Sequence, residues 1–137
     1  MKNSVIVALP FFLLFLAASF STAFADGEDI PRIPIEELKK RMDEGAPVTI
    51  VDVQPKSIYA KGHIKGALSL PWKPRFTMEQ VAHLPKGKPI VTYCDCGPGE
   101  ADSASVAAQL FNLGFPDVQV LKDPSIKGWK QAGYPME

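Results

Sequence analysis

Short apolar runs alternate with helix-patterned stretches along most of this chain, and that alternation leaves few folds open to it. Val48–Val53 (VTIVDV), Ala67–Leu70, Pro89–Tyr93 (PIVTY) and Val118–Leu121 are brief and apolar, the first, third and fourth with β-branched residues, as strands of a buried sheet are. Between them, Ile35 to Glu44 places apolar residues at 35, 38 and 42 among charges and is followed by Gly45, which predicts an amphipathic helix with a stop. Pro55 suits the first turn of a short helix. Thr77 and Gln80 have the spacing of a capping box and open another helix to about Leu84. Residues 103–113 are Ala-rich and stop at Gly114, and Ile126–Ala132 predicts a last short helix. No segment is repeated. Strands that alternate with helices predict an α/β fold whose mostly parallel sheet is covered by helices on both faces. Asp26–Arg32 is polar and reads as a loose leader ahead of it.

The front of the chain obeys a different rule. Lys2 is the one charge in Met1–Ala25, Val5 to Phe20 is almost continuously apolar, and Ala23-Phe24-Ala25 sets small residues where a signal peptidase cuts. Residues 1–25 are therefore expected to be a bacterial-type signal peptide, cleaved between Ala25 and Asp26, with the mature protein in the periplasm. The apolar run is short for a span and Pro10 interrupts it, so no stable membrane insertion is expected after cleavage; an uncleaved anchor is the alternative. About 112 residues then remain, enough for one domain with its own core.

Charge excludes more than it suggests. The 15 basic and 15 acidic residues cancel, so nothing draws the chain to nucleic acid or to an anionic surface. Its 2 cysteines, Cys94 and Cys96, are too close together to staple distant parts of a fold. Cys94 instead directly follows a predicted strand. In parallel sheets ligands sit at the carboxyl ends of strands. There, backbone N–H groups and a helix N-terminus favour a thiolate and a bound anion.

Four segments, in order, resemble the rhodanese-like family over residues 33–136. Asp52-Val53 ends the strand VTIVDV as the family's Asp-Val pair does. Gly62-His63-Ile64-Lys65-Gly66-Ala67 matches its Gly-His-Ile-x-Gly-Ala turn, with Leu70-Pro71 following. PIVTYC is similar to the strand that leads to the active-loop cysteine, and Gly128-Trp129-Lys130-Gln131-Ala132-Gly133-Tyr134-Pro135 to the closing Trp-x-x-Ala-Gly-x-Pro. The resemblance implies a three-layer fold around a central, mostly parallel sheet. It also implies a sulfurtransferase or persulfide carrier in which Cys94 accepts sulfane sulfur and hands it to a nucleophile. The partners so implied are a sulfane-sulfur donor and a thiol acceptor, small molecule or protein. Asp95, Gly97, Gly99, Glu100, Ala101, Asp102 and Ser103 would form the loop pocket, with Asp52 and His63 in support and no cofactor or metal.

The loop departs from the family's usual form. Members commonly carry Cys-x-x-Gly-x-Arg-Ser; here Cys94-Asp95-Cys96-Gly97-Pro98-Gly99-Glu100-Ala101-Asp102-Ser103 is longer, and Asp102 stands where Arg would when Ser103 is aligned. It is closer to a subgroup whose loops read Cys-x-Cys-Pro with a Glu beyond. The usual Asp-Val-Arg is also Asp52-Val53-Gln54 here. Three carboxylates, on Asp95, Glu100 and Asp102, oppose a thiolate and repel a dianionic donor such as thiosulfate. The same acids also suit a helix N-terminus. Without the Arg, the oxyanion chemistry of related phosphatases and arsenate reductases is disfavoured.

Cys96 has the spacing of a resolving thiol, able to attack a persulfide on Cys94 or to close a small-ring disulfide with it. Two other function classes therefore stay open: thiol–disulfide exchange through the Cys-x-Cys pair, and a binding module that keeps the fold without catalysis. His63 is expected to hold its turn by hydrogen bonds and His83 to lie on a solvated helix face. Trp72 and Trp129 are expected to be packing residues. No His pair accompanies the cysteines with zinc spacing, and no Gly-rich stretch matches a nucleotide loop.

Overall fold

The computed structural model describes residues 29–137, so the expected leader 1–25 and its cleavage point lie outside the described residues. The elements run β1 (Arg32–Ile33), α1 (Ile35–Asp43), β2 (Thr49–Asp52), α2 (Lys56–Tyr59), β3 (Leu68–Ser69), α3 (Met78–Val81), β4 (Ile90–Tyr93), α4 (Ala101–Asn112), β5 (Val118–Leu121) and α5 (Ser125–Gln131). The sheet has the order β1-β5-β4-β2-β3, and every pairing in it is parallel. This is the three-layer α/β architecture that strand–helix alternation predicts, with β4 in the middle.

The two faces of the sheet explain the residue choices. Successive side chains of a strand point to opposite sides. Val91 and Tyr93 of β4 therefore join Ile50, Leu121, Leu38 of α1 and Trp129 of α5 in one apolar cluster. Ile90 and Cys94 join Val51, Val120, Val81 of α3 and the Ala104–Leu110 face of α4 in the other. All residues of β2 and β4 are buried, which is why VTIVDV and PIVTY carry no solvent-facing polar alternation. Cys94 continues the β4 alternation and so comes to lie on the α4 side.

The boundaries follow local chemistry. The capping box at Thr77 and Gln80 forms, with the Gln80 carboxamide oxygen accepting the Thr77 N–H at 3.1 Å. At the start of α4, Glu100 adopts a left-handed conformation, and the helix begins at Ala101, two residues earlier than the Ala-rich run suggests.

One expectation is corrected. The described part of Asp26–Arg32 is not a loose leader: Ile30 is buried, and Arg32–Ile33 pair with Val120–Leu121 as an edge strand. A strand of two residues between Pro31 and Pro34 has no periodicity to read, and its partner lies far along the chain. Among the described residues no helix is long and apolar enough to cross a membrane.

Candidate active site

Cys94 leaves the carboxyl end of the central strand and is 3% exposed. The chain then turns through Gly97 and Gly99, both at positive φ (72° and 88°), conformations that cost glycine little. Glu100 closes the loop, and its N–H donates to the Gly97 carbonyl at 3.1 Å. The carbonyl of Glu100 accepts from the Ala104 N–H (2.8 Å) and from the Ser103 hydroxyl (3.1 Å), which starts α4. Ser103 Oγ is also 3.3 Å from Cys94 Sγ. A single hydroxyl proton thus faces two acceptors, and it can turn from the carbonyl to the sulfur when the sulfur is anionic. Thr92 Oγ1 fixes this arrangement from the strand by donating to the Ser103 carbonyl at 2.9 Å. Ser103 lies in the first turn of α4, whose leading N–H groups have no partner within the helix.

Glu100 has a left-handed backbone without being glycine, which costs on the order of 1 kcal/mol. Its buried carboxylate is what holds it there. Arg32 Nε of β1 donates to Oε2 at 3.3 Å, and the Asp123 N–H donates to Oε1 at 2.7 Å. The loop after Cys94 is in this way tied to an edge strand and to the junction of β5 and α5. Of the three carboxylates expected around the thiol, only those of Asp95 and Asp102 belong to exposed residues; the charge of Glu100 is offset by Arg32. Neither Arg32 nor the Asp123 backbone was legible in the sequence, because the contact spans 68 residues.

Cys94 and Cys96 are joined by a disulfide, with Cα atoms 5.5 Å apart, within the range such a bond spans. Cys96 is half-buried and packs against the same cluster as Cys94. Asp95 points out between them as an exposed residue.

The two residues expected in support, Asp52 and His63, bond to other parts of the fold, although Asp52 is paired in register with Tyr93, next to Cys94. The fully buried Asp52 accepts from the Gln54 N–H (2.8 Å), from Gln54 Nε2 (3.2 Å) and from the Tyr93 hydroxyl (2.7 Å). Tyr93 Oη in turn accepts the Ile64 N–H at 3.1 Å. Burial, and then the hydrogen bond and charge of Asp52, push the Tyr93 phenol far above its ordinary range, so it stays protonated and donating. Gln54 caps this buried carboxylate. Asp52 therefore locks the ends of β2 and β4 to the Gly62–Gly66 turn.

His63 holds that turn, as expected. It stacks on Tyr59 at 3.7 Å between ring centroids, and its ring nitrogens face the Tyr59 carbonyl (3.0 Å) and Glu137 Oε1 (3.3 Å). The same Glu137 oxygen accepts the Gly66 N–H at 2.8 Å, which, with the lesser help of His63, holds the Glu137 carboxyl below its usual value. These contacts bind the turn to the C-terminal segment.

His83 is exposed in the turn just after α3. Trp129 is a packing residue, fully buried, with its indole N–H donating to the Pro135 carbonyl at 2.9 Å. Trp72 is not: it is 43% exposed, and its indole N–H donates to Ser105 of α4 at 3.3 Å. It follows β3 into a region where the sheet has ended, so its ring rests against α4 from outside.

A family model described as a rhodanese-like domain matches residues 34–132. The HTH-type transcriptional regulator Rv0324 of Mycobacterium tuberculosis is 31% identical over 122 residues, covering 88% of this chain and 51% of the relative, so the chain spans about half its length. Among solved structures, the BH2092 protein of Bacillus halodurans superposes with a TM-score of 0.68 at 28% identity, over 78% of this chain and 76% of that one. The rhodanese-like domain of the Alr3790 protein of Anabaena superposes with a TM-score of 0.62 at 32% identity, over 78% of each chain.

Proposed function

Given that this chain belongs to the rhodanese-like domain family, we propose that it is a sulfurtransferase or persulfide carrier that takes sulfane sulfur on Cys94. One observation supports this above the rest: Cys94 directly follows the central strand and faces the first turn of α4, with the Ser103 hydroxyl 3.3 Å from its sulfur. That setting favours a thiolate and stabilises charge on a sulfur attached to it.

The chemistry is two displacements, once the Cys94–Cys96 disulfide has been reduced. The Cys94 thiolate attacks the outer sulfur of a donor persulfide, the donor S–S bond breaks, and the donor thiolate leaves. An acceptor thiolate then attacks the outer sulfur on Cys94 and restores the Cys94 thiolate. Exposed Asp95 and Asp102 flank the loop with no arginine in it, which disfavours dianionic thiosulfate and favours a donor of lower charge, a small persulfide or polysulfide. The apolar leader 1–25 supports a periplasmic place for this reaction.

Transfer of labelled sulfur from a small persulfide to a small thiol tests the reading. Cys94→Ser is expected to abolish it, and a Cys94→Ser protein that still transfers sulfur overturns it. The disulfide itself favours a second reading, thiol–disulfide exchange. That reading requires the oxidised protein to pass its bond to reduced substrates with no sulfur involved.

A further inference from the structure

We infer that Cys96 discharges the Cys94 persulfide internally, releasing hydrogen sulfide and leaving the Cys94–Cys96 disulfide, so that a dithiol reductant completes the cycle. This rests on the sulfur-accepting role of Cys94 proposed above and assigns the fate of the sulfur when no external acceptor thiol takes it first.

The geometry of the pair is the ground for it. The disulfide joins Cys96 to Cys94 Sγ, and in a persulfide Cys94 Sγ is the inner of the two sulfurs. The loop conformation that makes this bond therefore directs Cys96 to the inner sulfur, not the outer one. That conformation is held independently of the cysteines. Glu100 is pinned by Arg32 and the Asp123 N–H, and its own N–H closes on Gly97. The Cα separation of 5.5 Å needs no movement of the strand.

Accessibility separates the two sulfurs. Cys94 is 3% exposed and Cys96 is half-buried. An external thiol reaches Cys96 more readily than Cys94 Sγ, and a thiolate formed on Cys94 departs toward Ser103 and the first turn of α4.

The step balances. The Cys96 thiolate attacks Cys94 Sγ, the bond from Cys94 Sγ to the outer sulfur breaks, and the outer sulfur leaves as hydrosulfide, which takes up a proton. The sulfane sulfur is reduced to sulfide while the two cysteines are oxidised to a disulfide. One thiolate of the dithiol reductant then attacks Cys96 Sγ, the Cys94 thiolate leaves, and the second thiol of the reductant releases Cys96 by closing its own disulfide. The reductant is thus a partner with two neighbouring thiols that can approach the exposed side of the loop around Asp95 and Cys96.

The test uses reduced full-length mature protein under anaerobic conditions, given one equivalent of a small-molecule persulfide and no other thiol. Released sulfide and intact mass are followed together. Wild type is expected to release about one equivalent of sulfide and to lose two hydrogens, whereas Cys96→Ser and Cys96→Ala are expected to keep one added sulfur and release none. The inference is overturned if wild type keeps the added sulfur as long as Cys96→Ser does, or if the sulfur is found on Cys96 without sulfide release. If neither protein gains sulfur nor releases sulfide, the sulfur-accepting role of Cys94 fails first and this inference with it.

Discussion

Replacing Tyr93 by Phe removes one oxygen from the middle of the buried chain Ile64 N–H to Tyr93 to Asp52. The ring stays, so the packing around it is conserved and only polar terms change. Two partners are left behind: a fully buried carboxylate that loses a 2.7 Å donor, and a buried N–H that loses a 3.1 Å acceptor. A hydrogen bond to a charged group contributes about 1.5–3 kcal/mol, and an orphaned buried N–H costs about 1–3 kcal/mol. With Gln54 still donating to Asp52, the expected loss is about 3 kcal/mol, or a fall of about 10 °C in Tm for a domain of this size. Urea and thermal unfolding at pH 7 measure it.

The pH dependence adds a second readout. The Tyr93 pKa is raised in the folded state above its ordinary 10.0. Its contribution is therefore fully present below pH 10 and is lost as pH rises beyond that value. The gap between wild type and Tyr93→Phe should be constant from pH 6 to 9 and narrow above about pH 10. A loss under about 1 kcal/mol, or a gap that does not narrow in alkali, refutes the account of this network.

Three further outcomes are expected. Glu100→Gln keeps an acceptor for the Asp123 N–H but loses the charge facing Arg32; since that arginine is partly exposed, the cost should be about 1–2 kcal/mol by urea unfolding, and no change would remove Glu100 as the anchor of the loop. Gly128→Ala puts a Cβ at 2.5 Å from Pro124 Cγ and 3.4 Å from Ile35 Cδ1, which should cost roughly 1–3 kcal/mol in a thermal melt. Glu137→Gln tests a carboxyl whose folded pKa is lowered, so its stabilisation is present above pH 4.5 and is lost as pH falls; the variant should melt below wild type at pH 7 and the two melts should converge in acid.

The sequence made the centre of the fold legible and its edges obscure, for physical reasons. Val48–Val53 and Pro89–Tyr93 read as strands because both faces of β2 and β4 are buried, and burial on both faces writes itself as a continuous apolar run. Arg32–Ile33 did not, since two residues between prolines carry no period. The cysteine pair was visible from spacing alone, and so was the turn around His63. What the spacing could not reveal is why the loop keeps its shape, because Glu100 depends on Arg32 and on a backbone N–H at Asp123. Trp72 misled in the opposite direction: a large apolar residue is most often inside, and here the strand ends before it and leaves it resting on α4.

The most direct test of the central claim is the intact mass of reduced Cys96→Ser protein after exposure to a sulfane-sulfur donor, with the added sulfur located by peptide mapping. Cys96→Ser removes the internal discharge, so a persulfide formed on Cys94 should persist. The account predicts a gain of one sulfur atom on the peptide that contains Cys94, absent when Cys94→Ser is added. An unchanged mass, or an equal gain without Cys94, would contradict it.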